Sequence, residues 1–201
     1  MPHLSDLVAS SWVQRFFSLI PRDQGPVLDL ACGGGRHTRL LLDAGYEVWA
    51  LDKDAVLLKP LEALGARCFR VDLEASSQDV ESGEGTWPFD ANMFSGIVVT
   101  NYLYRPLFER LISSLKEEGV LIYETFSKGN EVYGRPRNPD FLLQSGELLN
   151  QLLSDSRTER KNHCIAYEHG YVEHPHPAIV QRICIRSISH SNPSDDRLDS
   201  I

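Results

Sequence analysis

The stretch from Pro26 to Asp52 constrains the fold more than any other part of the chain. A short apolar strand, Pro26-Val-Leu-Asp-Leu-Ala31, runs into three consecutive glycines, Gly33 to Gly35; a helical pattern then reaches Ala44, and a second strand covers Glu47 to Asp52. Strand, glycine turn, helix and returning strand make a βαβ unit, whose two strands are parallel. The alternation continues with a helix from Asp54 to Leu64, a strand from Arg67 to Asp72, a strand from Phe94 to Asn101, a helix from Leu107 to Lys116 and the strand Gly119 to Phe126. Val, Ile and Leu fill these strands, so both sheet faces need covering, which predicts an α/β fold with a doubly wound, mainly parallel sheet. Ligands of such sheets bind outside the carboxyl ends of the strands.

The flanking segments read less sharply. Residues 1–20 place Leu4, Leu7, Val8, Val13, Phe16, Phe17 and Ile20 at helical spacing and stop at Pro21, which predicts an N-terminal amphipathic helix. Arg15 is the one cation in its apolar-periodic part, so the helix is expected to pack on the domain or lid a site rather than lie on a membrane. Glu74 to Asp90 reads as an acidic loop from which Trp87-Pro-Phe89 docks back on the core. Residues 127–158 form a substrate-side loop and a helix, Ser145 capping the helix through Leu153. Two late segments, Glu159 to Val172 and Val180 to Ile188, suggest a β-hairpin with a long connection. A single domain is expected over residues 1–188, with 189–201 a polar, flexible tail.

Bulk properties narrow the function. The formal charge of −8 opposes gathering onto a phosphate backbone, so nucleic acid is disfavoured as a partner. The four cysteines lack any C-x-x-C pair and read as reduced thiols, and no apolar run approaches the roughly 20 residues that span a bilayer. These features point to a cytoplasmic protein. His174-Pro-His176 lacks accompanying ligands at metal spacing, so no metal is expected.

The glycines mark where a ligand meets backbone, but a dinucleotide fingerprint would need a third glycine at position 38, where Thr38 stands, and Asp29 would face a pyrophosphate. A cationic ligand reverses that sign. Asp52 ends the second strand at the position where a carboxylate accepts from ribose hydroxyls; Asp72 ends the third, with Leu73 apolar beside it. Asp54 reads as a helix cap.

Taken together, Val27-Leu-Asp-Leu-Ala-Cys-Gly-Gly-Gly-Arg-His37, Ala50-Leu-Asp52 and Val71-Asp72 resemble the first motifs of class I S-adenosylmethionine-dependent methyltransferases. More narrowly, the chain is similar to small bacterial methyltransferases grouped with the tellurite-resistance methyltransferase, from about Trp12 to Arg186. The resemblance implies a Rossmann-like, seven-stranded sheet with an antiparallel C-terminal strand, and S-adenosyl-L-methionine as cofactor. It carries cofactor contacts to Asp29, Ala31, Cys32, Gly33, Gly35, Asp52, Lys53, Asp72, Leu73 and Asn101. Asn101 and Tyr102 would line the methyl-transfer site, and Glu124 is the candidate base if the acceptor needs one. Tyr104, Arg105, Tyr133 and Arg135 are candidates for binding a small, anionic substrate, since guanidinium forks hold carboxylates and oxyanions. His37 reads as packing or support. A noncatalytic cofactor-binding partner protein, or a methyltransferase acting on RNA or protein, stays open as the alternative.

Overall fold

The computed structural model describes residues 8–75, 87–153 and 161–188. Five strands run parallel: β1 (Val27–Leu30), β2 (Val48–Asp52), β3 (Arg67–Arg70), β4 (Phe94–Thr100) and β5 (Leu115–Phe126). Then β6 (Lys161–Val172) and β7 (Ala178–Ile188) form a hairpin whose second strand lies antiparallel against β5. The seven strands order as β3-β2-β1-β4-β5-β7-β6. The sheet is thus the expected mainly parallel one with an antiparallel last strand. Its order reverses between β1 and β4, and the crevice at that reversal is where ligands of open α/β sheets lodge.

Period-two alternation decides which face each strand residue serves. Leu28, Leu30, Ile97, Val99, Leu121, Tyr123, Ile183 and Ile185 are buried in one cluster, with Leu111 and Ile112 of α4 (Phe108–Ser114) and Leu148 and Leu152 of α5 (Glu147–Leu153). Val27, Val98, Val120, Ile122 and Cys184 face the other way, against α1 (Ser11–Phe16) and α2 (Arg36–Asp43). On that same face α3 (Ala55–Glu62) seats Leu58 and Leu61 on Ala50. Asp54 accepts from the Val56 N–H and caps α3, as its position suggested.

The N-terminal helix departs from expectation. It begins at Ser11, with Ser10 as cap; Val8 lies outside it and is 60% exposed, and it tightens into a 3₁₀ turn over Phe17–Leu19. Leu4 and Leu7 fall outside the described residues, as do the tail 189–201, the start of the first hairpin segment and part of the acidic loop. Only Ser10 has a hydroxyl aimed at the Trp12 N–H, and hydrophobic spacing cannot see a cap. The helix expected to reach Lys116 stops at Ser114, because Leu115 turns extended to pair with Phe94. Trp87 and Phe89 do return to the core: the Trp87 indole donates to Ser114 Oγ at 3.0 Å, and Phe89 packs edge-on to Phe94.

Candidate functional site

The carboxyl ends of β1 and β4 both leave the sheet through left-handed residues that are not glycine, Ala31 (φ 52°) and Asn101 (φ 55°). Such backbone costs about 1 kcal/mol or more per residue and clusters at ligand sites. Between these diverging chains lies the glycine turn. A Cβ placed on Gly33 or Gly34 would meet nothing, so the loop faces open space. Gly35, at φ 75°, serves packing instead: a Cβ there would overlap the Leu61 side chain of α3.

Asp52 closes the turn from the next strand. Its Oδ2 accepts from the Gly33 N–H at 2.8 Å and its Oδ1 from the Asp54 N–H at 2.9 Å. A carboxylate offers about four acceptor positions, so two remain for a pair of hydroxyls. Lys53 follows on the exposed side, and Val71 donates to the Asp52 carbonyl, bringing Asp72 close. Strand β3 ends two residues before Asp72, which therefore sits in a turn, exposed, accepting from the Glu74 N–H. Leu73 beside it is buried in the core cluster.

Asp29 lies beneath the loop and not in it. It is 1% exposed, and Thr38 Oγ1 donates to its Oδ2 at 2.6 Å. Burial raises its pKa to about 6, against the opposing Thr38 hydrogen bonds and the Arg36 charge. The same burial, with Asp29 and Asp52 nearby, pushes the Cys32 thiol far up, so it stays protonated and serves as packing. Tyr102 is also pushed up, first by desolvation and then by the Glu74 carboxylate beside its hydroxyl.

The charged candidates further along the chain are already engaged. Glu124 Oε1 accepts from Ser10 Oγ at 2.9 Å, and Oε2 lies 3.5 Å from Arg182 Nε. Glu124 thereby ties the cap of α1 to the end of β5 and keeps further acceptor positions. Arg105 forms a fork with Glu147, its Nε 2.5 Å from Oε1 and Nη2 3.1 Å from Oε2, and donates to the Asp140 and Leu142 carbonyls. It staples the segment ahead of α5 to the end of β4, leaving little of its fork for a substrate. Tyr104 packs half-buried against the core. Tyr133 meets Tyr171 of β6 ring to ring at 5.3 Å in a tilted contact, on a strand well away from β4 in the sheet order, and Arg135 is exposed nearby in sequence. Among the described residues, no three His, Cys, Asp or Glu side chains gather into a metal centre, and no helix is long and apolar enough to cross a membrane.

The family model described as Tellurite resistance protein TehB matches residues 19–122, the span holding the glycine turn, Asp52 and the end of β4. The chain belongs to the TehB family. Its fold is also that of solved S-adenosylmethionine-dependent methyltransferases. One from Mesorhizobium loti is 16% identical, with a TM-score of 0.64 over 90% of this chain and 99% of that one. TehB from Haemophilus influenzae, also 16% identical, gives a TM-score of 0.66 over 89% of this chain and 62% of its own. A methyltransferase from Archaeoglobus fulgidus, 13% identical, gives 0.56 over 87% and 90%. No curated protein matches the chain in sequence. This chain thus has the fold of S-adenosylmethionine-dependent methyltransferases, and the residues around the β1–β4 crevice suit that cofactor: an open glycine loop, acceptor positions left on Asp52 and a buried carboxylate beneath.

Sequence reasoning missed Ser10, Arg36 and Thr100. Arg36 Nη2 lies 3.5 Å from Thr100 Oγ1, joining the first turn of α2 to the end of β4 beside the crevice. Only the arginine carried a signal, as the residue directly after the glycines.

Proposed function

We propose that this TehB-family chain transfers the methyl group of S-adenosylmethionine to a small acceptor, an anionic one foremost, by in-line displacement. The cofactor supplies an electrophilic methyl on a sulfonium. The observation that carries the reading is the glycine loop, with Gly33 and Gly34 facing open space beside Asp52 at the strand-order reversal. In this reading Asp52 accepts from the ribose hydroxyls, and the loop admits the methionine part. Asp72 stands at the adenine end, and Asn101 and Tyr102 wall the transfer site. Asp29 acts through its field from below, where a buried charge is felt more strongly than in water.

Glu124 is tied to Ser10 and faces Arg182, and a cation beside a carboxylate weakens it as a base, which favours an acceptor that arrives already ionised, as a thiolate, carboxylate or oxyanion does. Holding nucleophile and methyl in line and excluding water then suffices without a dedicated base. The family description, tellurite resistance, makes chalcogen oxyanions the first acceptors to try.

Calorimetry with S-adenosylmethionine should show saturable binding, weakened about tenfold or more in Asp52→Ala, the expected loss of charge-assisted hydrogen bonds. Affinity untouched by that change would sink the cofactor assignment. Incubation with methyl-labelled cofactor and a metabolite extract should put label on a small molecule. Label on RNA or protein would replace the acceptor class, and binding without transfer would favour a noncatalytic partner protein.

A further inference from the structure

Ser10 uses every hydrogen-bonding group it exposes toward the interior. Its Oγ accepts from the Trp12 N–H at 3.1 Å, which is the cap of α1. That bond alone accounts for a serine at a helix start. Two further bonds leave the helix altogether. The Ser10 N–H donates to His37 Nε2 at 3.1 Å, and the Ser10 hydroxyl donates to Glu124 Oε1 at 2.9 Å. The residue is 9% exposed, and His37 is 2% exposed.

Each partner leads to the crevice. His37 sits in the first turn of α2, directly after the glycine loop. Because its Nε2 accepts, its proton resides on Nδ1, which faces Thr100 Oγ1 at 3.4 Å. Thr100 is the last residue of β4, and the next, Asn101, donates its N–H to the Glu124 carbonyl at 2.9 Å. Glu124 is fixed from its far side by Arg182, which the strand register sets opposite it and between it and Glu168. Ser10 therefore links the helix that carries the glycine loop to β5 through Glu124, adding to the contacts that Arg36 and His37 make with Thr100 at the end of β4.

We propose that Ser10 is a positioning residue for the cofactor, holding the start of α2 and the β4–β5 ends at the spacing the adenosyl sulfonium needs, through His37 on one side and Glu124 on the other. The role rests on the cofactor reading above. It is distinct from capping, because an aspartate at position 10 still caps a helix but sets a second carboxylate against Glu124.

The test compares the full chain with Ser10→Asp and Ser10→Thr. Titration with S-adenosylhomocysteine should give at least a tenfold higher Kd for Ser10→Asp and a value within twofold of the parent for Ser10→Thr, which keeps hydroxyl and cap. In the ligand-free proteins, amide exchange at Ser10 and Asn101 should quicken at least tenfold in Ser10→Asp and stay parental in Ser10→Thr. Parental affinity in Ser10→Asp, or exchange that does not change, overturns the positioning role and leaves Ser10 a cap. Faster exchange in a chain whose parent fails to bind S-adenosylhomocysteine overturns the cofactor reading and, with it, the ligand assigned to this tether.

Discussion

At position 38 a threonine stands where a dinucleotide-binding loop would carry a glycine, and its hydroxyl is what the buried Asp29 holds. The pair explains how an acid is kept under the loop, and it makes the protein sensitive to pH. With a folded pKa of about 6 against an ordinary 3.8, Asp29 favours the fold most when protonated. Its contribution, about 3 kcal/mol in all, is complete below pH ~4 and is lost as pH rises through about 6. His37 has the opposite sign. Burial and the Arg36 charge lower it from 6.5 to about 3, so its contribution is complete above pH 6.5 and fades as pH falls toward 3. Ligand-free Asp29→Asn should accordingly unfold at a higher temperature than the parent at pH 7.5, and the gap should shrink by about half at pH 5 and close below pH ~4; a gap that does not change with pH would assign it to another cause. The same substitution should weaken S-adenosylmethionine about tenfold and S-adenosylhomocysteine less, since only the first carries the sulfonium charge. Equal losses for the two would place the action of Asp29 elsewhere than on that charge.

Among elements, the glycine turn divides its labour by residue. Gly35 is fixed by backbone and by the Leu61 side chain, whereas Gly34 faces open space. Gly35→Ala should cost about 2–4 kcal/mol in urea unfolding, from left-handed strain and overpacking together. Gly34→Ala should unfold like the parent yet bind the cofactor at least tenfold more weakly, because its methyl enters the volume assigned to the ligand. If Gly34→Ala binds normally, the ligand lies elsewhere. Past the end of β4, Arg105 reads in sequence as an anion receptor because the sequence shows a guanidinium but not its neighbour 42 residues away. Glu124 likewise shows nothing in sequence of its partner Ser10, 114 residues off. Local pattern reveals a charged side chain; only the folded chain reveals whether that charge is already matched.

Over the whole molecule, the N-terminal helix and the late hairpin meet across the sheet. Trp12 is 1% exposed, packs in the core cluster that includes Val120, Ile122 and Cys184, and donates its indole N–H to the Ile183 carbonyl at 3.3 Å. Trp12→Ala should lower stability by about 3–5 kcal/mol in urea with little change in the denaturant slope. A loss under 1 kcal/mol would mean that the helix is an appendage and not part of this core. The sequence by itself determined the parallel strands, the glycine turn and the acids at the ends of β1 and β2, because period, turn chemistry and spacing are local and each strand's apolar run leaves one way to be covered. The TehB-family span falls on that legible part. Tertiary structure alone decided which acid faces the crevice and which lies buried, that Glu124 and Arg105 are tied to Ser10, Arg182 and Glu147, and that Ser10 spans α2 and β5. Those outcomes depend on which side chains folding brings within about 3 Å, and hydrogen bonds between distant residues leave no periodicity to read.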